Sequence, residues 1–107
     1  MDKTLEKKNY YNSLYGYYYT LLTTKQQEIF EAYYSEDYSL SEISEDLKIS
    51  RNAVWDSLQK TIQILDEYEN KLKLHQKDET INQFLDELKQ YTSNEGLEII
   101  KKIKEME

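Results

Sequence analysis

Apolar residues recur at helical spacing along the whole chain. Leu14, Tyr15, Tyr18, Leu21 and Leu22 follow the i, i+1, i+4, i+7, i+8 order of a buried stripe and predict a first helix over about residues 5–22. Tyr10, Tyr11, Tyr17 and Tyr19 widen that stripe beyond what a single core requires, which suits a helix with two partners and predicts a homodimer through this tyrosine-rich helix one. Gly16 in its interior costs about 1 kcal/mol relative to alanine, although the missing side chain admits a close helix contact.

Thr23 and Thr24 each precede a glutamine by three residues, Gln26 and Gln27, so either can open a second helix with a capping box. Ile29, Phe30, Tyr33 and Tyr34 carry its apolar face until Ser35-Glu36-Asp37 ends the pattern. Ser39 with Glu42 forms another such box, flanked by Tyr38 and Ile43 at the hydrophobic-staple positions. The third helix is short, Leu40 to about Leu47, with Leu40, Ile43 and Leu47 facing inward. After Lys48 and Ile49, Ser50 caps a fourth helix that starts at Arg51. Val54, Leu58, Ile62, Leu65 and Leu72 extend it to about His75. Asp78 or Thr80 opens a fifth helix carrying Ile81, Phe84, Leu85 and Leu88, and Ser93 or Asn94 opens a sixth carrying Leu97, Ile100 and Ile103. No strand is needed. The expected fold class is all-α, a single-domain bundle over residues 1–107 with a helix-turn-helix at about 39–65, a long fourth helix and C-terminal amphipathic helices over about 78–106.

Composition narrows the chemistry. Two glycines and no proline in 107 residues leave few of the turn residues that hairpins need, which again favours helices. With 21 acidic against 14 basic residues the formal charge is −7, so a broad polyanion-binding surface is disfavoured and any nucleic-acid site must be local. The absence of cysteine removes disulfides, thiolate metal sites and cysteine nucleophiles, and fits a reducing cytoplasm, where the protein is expected. No apolar run approaches the ~20 residues of a membrane span. His75 has no second histidine near it, and Lys71, Lys73 and Lys77 do not ligate metal as cations, so a capping or solvent role is expected. Asp66, Glu67 and Glu69 splay around their helix and read as solvated charge. With no glycine-rich phosphate loop and no nucleophile motif, the reading is a protein that is not an enzyme and takes no cofactor or metal. The C-terminal stretch, with Lys101, Lys102 and Lys104, reads either as a partner-binding tail or as packing against helix four.

The informative segment runs from Ser39 to Val54: a short helix, a three-residue turn and a longer helix, each helix with its own cap. This is the arithmetic of a helix-turn-helix, whose second helix lies in the major groove with its first residues at the base edges. The candidate nucleic-acid-binding residues are therefore Ser50, Arg51, Asn52, Trp55, Gln59 and Lys60. Over residues 51–65, Arg51 and Lys60 against Asp56 leave only +1, while residues 36–48 carry Glu36, Asp37, Glu42, Glu45 and Asp46 against Lys48 for −4. Firm duplex binding commonly uses about 6–10 phosphate contacts, so a dimer or a nucleoprotein partner is expected to supply those a monomer lacks. The competing reading is a protein-binding scaffold. Trp55 lies one position past Val54, about 100° from the core stripe; the fifth or sixth helix is expected to cover it, the alternative being a stacking surface for an unpaired base.

These residues resemble region four of sigma factors and, more closely, the bacterial YlxM family of small proteins with a sigma-like helix-turn-helix. The resemblance covers about residues 5–73 and rests on Leu14-Tyr15 with Tyr18, Leu21-Leu22-Thr23, Lys25-Gln26, Tyr33-Tyr34 with Asp37-Tyr38-Ser39-Leu40, Glu42-Ile43, and Ser50-Arg51 with Ala53-Val54, Asp56 and Thr61. It implies a cytoplasmic, all-helical protein, usually encoded beside the signal recognition particle GTPase Ffh or its receptor FtsY and acting in that pathway. DNA, the RNA of the particle, Ffh and FtsY are accordingly the expected partners, with a DNA-binding transcription regulator as the alternative function. Two positions depart from the family pattern: Thr24 replaces a usual proline, and Gln59 replaces a common basic residue, which weakens the electropositive face. Against sigma factors, Ala53, Trp55 and Asp56 replace positions that are often basic or polar, and sigma activity is not expected.

Overall fold

Reciprocal capping decides where the helices begin. In a computed structural model, which describes residues 3–106, Thr23 accepts from the Gln26 amide at 3.1 Å while the Gln26 side chain accepts from the Thr23 amide at 3.0 Å. Ser39 and Glu42 make the same pair of bonds at 3.0 and 3.1 Å. Each box satisfies two of the amide donors that a helix leaves unpaired at its start. Six α-helices result: α1 (Lys3–Tyr18), α2 (Thr24–Phe30), α3 (Leu40–Leu47), α4 (Arg51–Leu72), α5 (Leu74–Leu88) and α6 (Asn94–Glu105), with no strand among the described residues. The all-α expectation holds.

The chain forms two compact units, one ending at Leu72 and one beginning at Lys73. In the first, α4 packs against α1, α2 and α3. Leu14 and Tyr18 of α1, Ile29 and Phe30 of α2, Ile43 of α3 and Val54, Leu58 and Leu65 of α4 make its core. Tyr15, Phe30 and Tyr34 stack in sequence, ring centroids 4.4 and 4.6 Å apart, an offset arrangement that adds to the burial of each ring. Past Phe30 the helix widens into a π-helical turn, Glu31–Ser35. Asn12 of α1 braces this turn: its Nδ2 donates to the Tyr34 carbonyl at 2.9 Å and its Oδ1 accepts from the Ser35 hydroxyl at 3.1 Å.

Three expectations change here. Helix one ends at Tyr18, and a 3₁₀ turn over Tyr19–Leu21 follows; its tighter winding leaves Leu21 in solvent while Leu22 stays buried. Gly16 makes no close helix contact, since a Cβ built there would find no atom within 4 Å. Asp66 and Glu69 are not solvated charge. Glu69 is buried and accepts from the Tyr18 hydroxyl at 2.6 Å, and Asp66 accepts from the Tyr11 hydroxyl at 3.1 Å. Tyrosines of α1 thus pair with acids of α4, a match that spacing within either helix does not reveal. Glu67 remains exposed.

The second unit begins with Lys73 in the left-handed region, φ 56°. One such residue ends α4 at Leu72, and α5 starts at Leu74, ahead of the expected Asp78 or Thr80. A left-handed lysine costs about 1–2 kcal/mol and carries no glycine or proline signal, which is why periodicity runs straight through it. Ser93 caps α6 as expected, accepting from the Gly96 amide at 3.3 Å. Gly96 is required by contact: a Cβ there would lie 1.7 Å from Thr92 Oγ1. Lys104 of α6 hydrogen-bonds Asp86 of α5, and Lys89 sits 3.2 Å from the same carboxylate. These two lysines, Lys104 first, hold the Asp86 carboxyl below its usual range. His75 Nε2 lies 3.6 Å from Glu79 Oε1, one turn along α5.

Candidate nucleic-acid interface

The turn between α3 and α4 is held by its own backbone. Lys48 adopts the left-handed conformation, φ 57°, and its amide donates to the Ser44 carbonyl. The Ile49 amide reaches the same carbonyl at 3.1 Å, and the Ser44 hydroxyl donates to the Ile49 carbonyl at 2.6 Å. Ser50 then caps α4 by accepting from the Ala53 amide at 3.0 Å. Ile43 of α3 and Val54 and Leu58 of α4 are buried, anchoring both helices from beneath. Tyr38, expected to staple onto Ile43, is instead exposed. The start of α4 is a short, capped platform whose inner side is buried and whose outer side meets solvent.

All six residues expected at the interface are exposed. Ser50, Arg51, Asn52 and Trp55 line one depression together with Leu40. Trp55, expected beneath the C-terminal helices, is 48% exposed, because its 100° offset from Val54 places it on the outer side of α4. Gln59 follows Trp55 by one turn and shares a second depression with it. Lys60 lines neither.

That second depression adds residues which the sequence reading missed. Thr4, Lys7 and Lys8 of α1 border it beside Trp55 and Gln59. Lys8 is engaged: its Nζ is 3.2 Å from Asp37 Oδ1 and 4.7 Å from the centre of the Tyr33 ring. Lys7 is exposed and brings a second cation to a depression that Trp55 also borders. The adjacent lysines at the start of helix one were the only signal available, and nothing local relates them to residue 59.

The neighbouring face is acidic. Glu42, Glu45 and Asp46 of α3 line a depression with Tyr38. These carboxylates would repel a polyanion from α3. Among the described residues no group of three or more histidine, cysteine or acidic side chains is placed to hold a metal ion, and no helix is long and apolar enough to cross a membrane.

Comparison with known proteins agrees with the helix-turn-helix. Residues 5–106 match a family, UPF0122, whose description reads "Putative helix-turn-helix protein, YlxM / p13 like". The match continues through α5 and α6, past the region that carried the resemblance. A UPF0122 protein of Lactococcus lactis subsp. cremoris (strain MG1363) is 45% identical over 104 residues, covering 96% of this chain and 92% of its own. That of Geobacillus sp. (strain WCH70) is 42% identical over 106 residues, 96% of each chain. That of Pediococcus pentosaceus is 45% identical over 87 residues, 81% of this chain and 77% of its own.

Proposed function

The chain belongs to the UPF0122 family of helix-turn-helix proteins, and from that premise we propose that it is a nonenzymatic, cytoplasmic protein acting in the signal recognition particle pathway through nucleic acid or protein. Its ligands on this reading are the RNA of the particle, with Ffh or FtsY as protein partners. The observation that supports it is the solvent-facing start of α4, where Arg51, Asn52 and Trp55 share one depression and Trp55 shares another with Lys7. An exposed tryptophan that shares its depressions with arginine and lysine suits a folded RNA, whose unpaired bases can stack while nearby phosphates meet the cations. The acidic depression on α3 supplies a complementary surface for a basic protein partner.

A second reading is a DNA-binding transcription regulator. Arg51 and Asn52 favour it, since these side-chain types pair with guanine and adenine edges in the major groove. Either ligand calls for more cations than one copy presents, so self-association belongs to both readings. Of the helix-one face expected to mediate it, Tyr10, Tyr17 and Tyr19 are exposed, while Tyr11 packs against the core.

The deciding experiment is binding of the purified chain to the RNA of the signal recognition particle, to random-sequence duplex DNA and to Ffh at about 150 mM salt, where long-range attraction is screened. Arg51→Ala and Lys60→Ala are measured alongside. Selective RNA or Ffh binding supports the first reading. Tight duplex binding lost in Arg51→Ala moves the assignment to the regulator, and no binding with any of the three overturns both.

A further inference from the structure

The depression that Trp55 shares with Lys7 has the size of one ring. Its volume is about 110 Å³, against roughly 300–1,000 Å³ for a drug-sized ligand and about 150 Å³ for a cavity that takes up benzene. Buried Tyr34 and Leu58 line it together with Trp55, Gln59 and Lys7, which are exposed. Tyr33 borders it too, but that ring is engaged: Lys8 Nζ stands 4.7 Å from its centre, and the Tyr34 ring meets it edge-on with centroids 5.1 Å apart. Trp55 has no aromatic or cationic partner among the described residues, so its indole is the open ring of the site. An apolar lining with one open indole, one amide and one cation suits a flat ring that has a polar edge and carries negative charge nearby.

We propose that this depression takes one unpaired base of a nucleic acid, stacked on Trp55, with its polar edge toward Gln59 and its phosphate toward Lys7. The inference rests on the nucleic-acid reading above and specifies its ligand, a single-stranded loop or end in place of a duplex. Charge favours that ligand. A chain of formal charge −7 offers few of the about 6–10 phosphate contacts that firm duplex binding uses, whereas single strands draw affinity from bases stacked on aromatic side chains. Lys8 is not available for phosphate, since its Nζ is 3.2 Å from Asp37 Oδ1, which leaves that role to Lys7. Shape favours it as well. Bases inside a duplex keep their faces covered by their neighbours, so only an unpaired base brings a face to the indole. Gln59 follows Trp55 by one helical turn and carries both a donor and an acceptor, which matches the Watson–Crick edge that an unpaired base exposes.

Trp55 is the only tryptophan of the chain, so its fluorescence reports on the depression directly. The full chain is titrated with oligo(A), oligo(U), oligo(C) and oligo(dA) of about ten nucleotides, and with a random duplex, at about 150 mM salt. Saturable quenching by at least one single strand is expected, about tenfold tighter than by the duplex, and oligo(A) against oligo(dA) separates an RNA segment from a DNA one. In Trp55→Ala, followed by the anisotropy of a labelled strand, binding weakens by about 5–100-fold, the size of one lost stack. Gln59→Leu levels the preference among the three bases. Both side chains are exposed, and circular dichroism checks that the variants keep their helices. Quenching by the duplex as tight as by every single strand, or affinity unchanged in Trp55→Ala, overturns the inference, and a base preference kept in Gln59→Leu removes Gln59 from the site. Binding of the particle RNA or of Ffh that leaves Trp55 emission unchanged overturns the base site while the proposed function stands. No binding to any nucleic acid overturns both the base site and the nucleic-acid side of that function.

Discussion

The Tyr18 hydroxyl donates to Glu69 Oε1 at 2.6 Å, joining α1 to α4 across 51 residues of chain inside the core. A buried carboxylate is tolerated only when it is hydrogen-bonded, and this short bond has the length of a charge-assisted one. Tyr18→Phe removes the donor and leaves the acid behind, at an expected cost of about 1–3 kcal/mol. Glu69→Gln keeps an acceptor and costs less. The double variant is expected to lose less than the two singles combined, with a coupling of about 0.5–3 kcal/mol. Chemical denaturation of the four proteins measures it, and strict additivity would count against the bond.

Alkaline stability follows from the same helix pair. Burial first, then the Asp66 carboxylate, pushes the Tyr11 phenol up to about 12 from its ordinary value near 10. Burial and the hydrogen bond to Glu31 raise Tyr15, and burial followed by Tyr33 raises Tyr34. A raised folded-state pKa means that the unfolded chain ionises first. The stabilisation is complete below pH 10 and is lost as the pH rises toward 12. Melting temperature is expected to fall across that window, and less steeply in Tyr11→Phe. An unchanged slope in that variant would contradict the assignment to Tyr11.

Thr61 is buried on the inner side of α4, and its hydroxyl has no hydrogen-bond partner. The buried, unsatisfied oxygen costs about 1–3 kcal/mol. Thr61→Val keeps the branched shape and removes that oxygen. A rise of about 1 kcal/mol in unfolding free energy is expected, and a loss of stability would indicate that the hydroxyl has a partner.

Gly16 lies in the interior of α1 at a helical φ, exposed, with open space where a side chain would go. Gly16→Ala is expected to stabilise by about 0.5–1 kcal/mol through backbone entropy alone. Gly96→Ala should do the reverse, since its Cβ would collide with Thr92. Thermal melts of the two variants should move in opposite directions.

Lys7 is a candidate phosphate contact because it borders the Trp55 depression. On the proposed function, Lys7→Ala weakens binding to every nucleic-acid sequence alike and lowers the slope of log affinity against log salt by about 1. Arg51→Ala, at the base-reading end, should also relax sequence preference. A salt slope unchanged in Lys7→Ala removes Lys7 from the interface.

Helix identity, caps and the helix-turn-helix were legible in the sequence because they rest on interactions within a few residues. Ser39 with Glu42, Thr23 with Gln26 and Ser50 with Ala53 are contacts three residues apart, and the 3.6-residue period reports which side of each helix is apolar. Departures occurred where local signals stop. Lys73 breaks the long helix without a glycine or proline to mark it, and Leu21 turns outward where α1 tightens into a 3₁₀ turn.

For the site, the sequence named Ser50, Arg51, Asn52, Trp55, Gln59 and Lys60 from one turn and one helix; the structure gathers the first four in one depression, sets Gln59 with Trp55 in another, and leaves Lys60 outside both. Tertiary structure alone decided that Trp55 is exposed, that Lys7 stands beside it, and that Glu69 is buried against Tyr18. The last two of those outcomes join residues about fifty positions apart. Local propensity and period act over a few residues, whereas the partner of a side chain across the core depends on how whole helices pack.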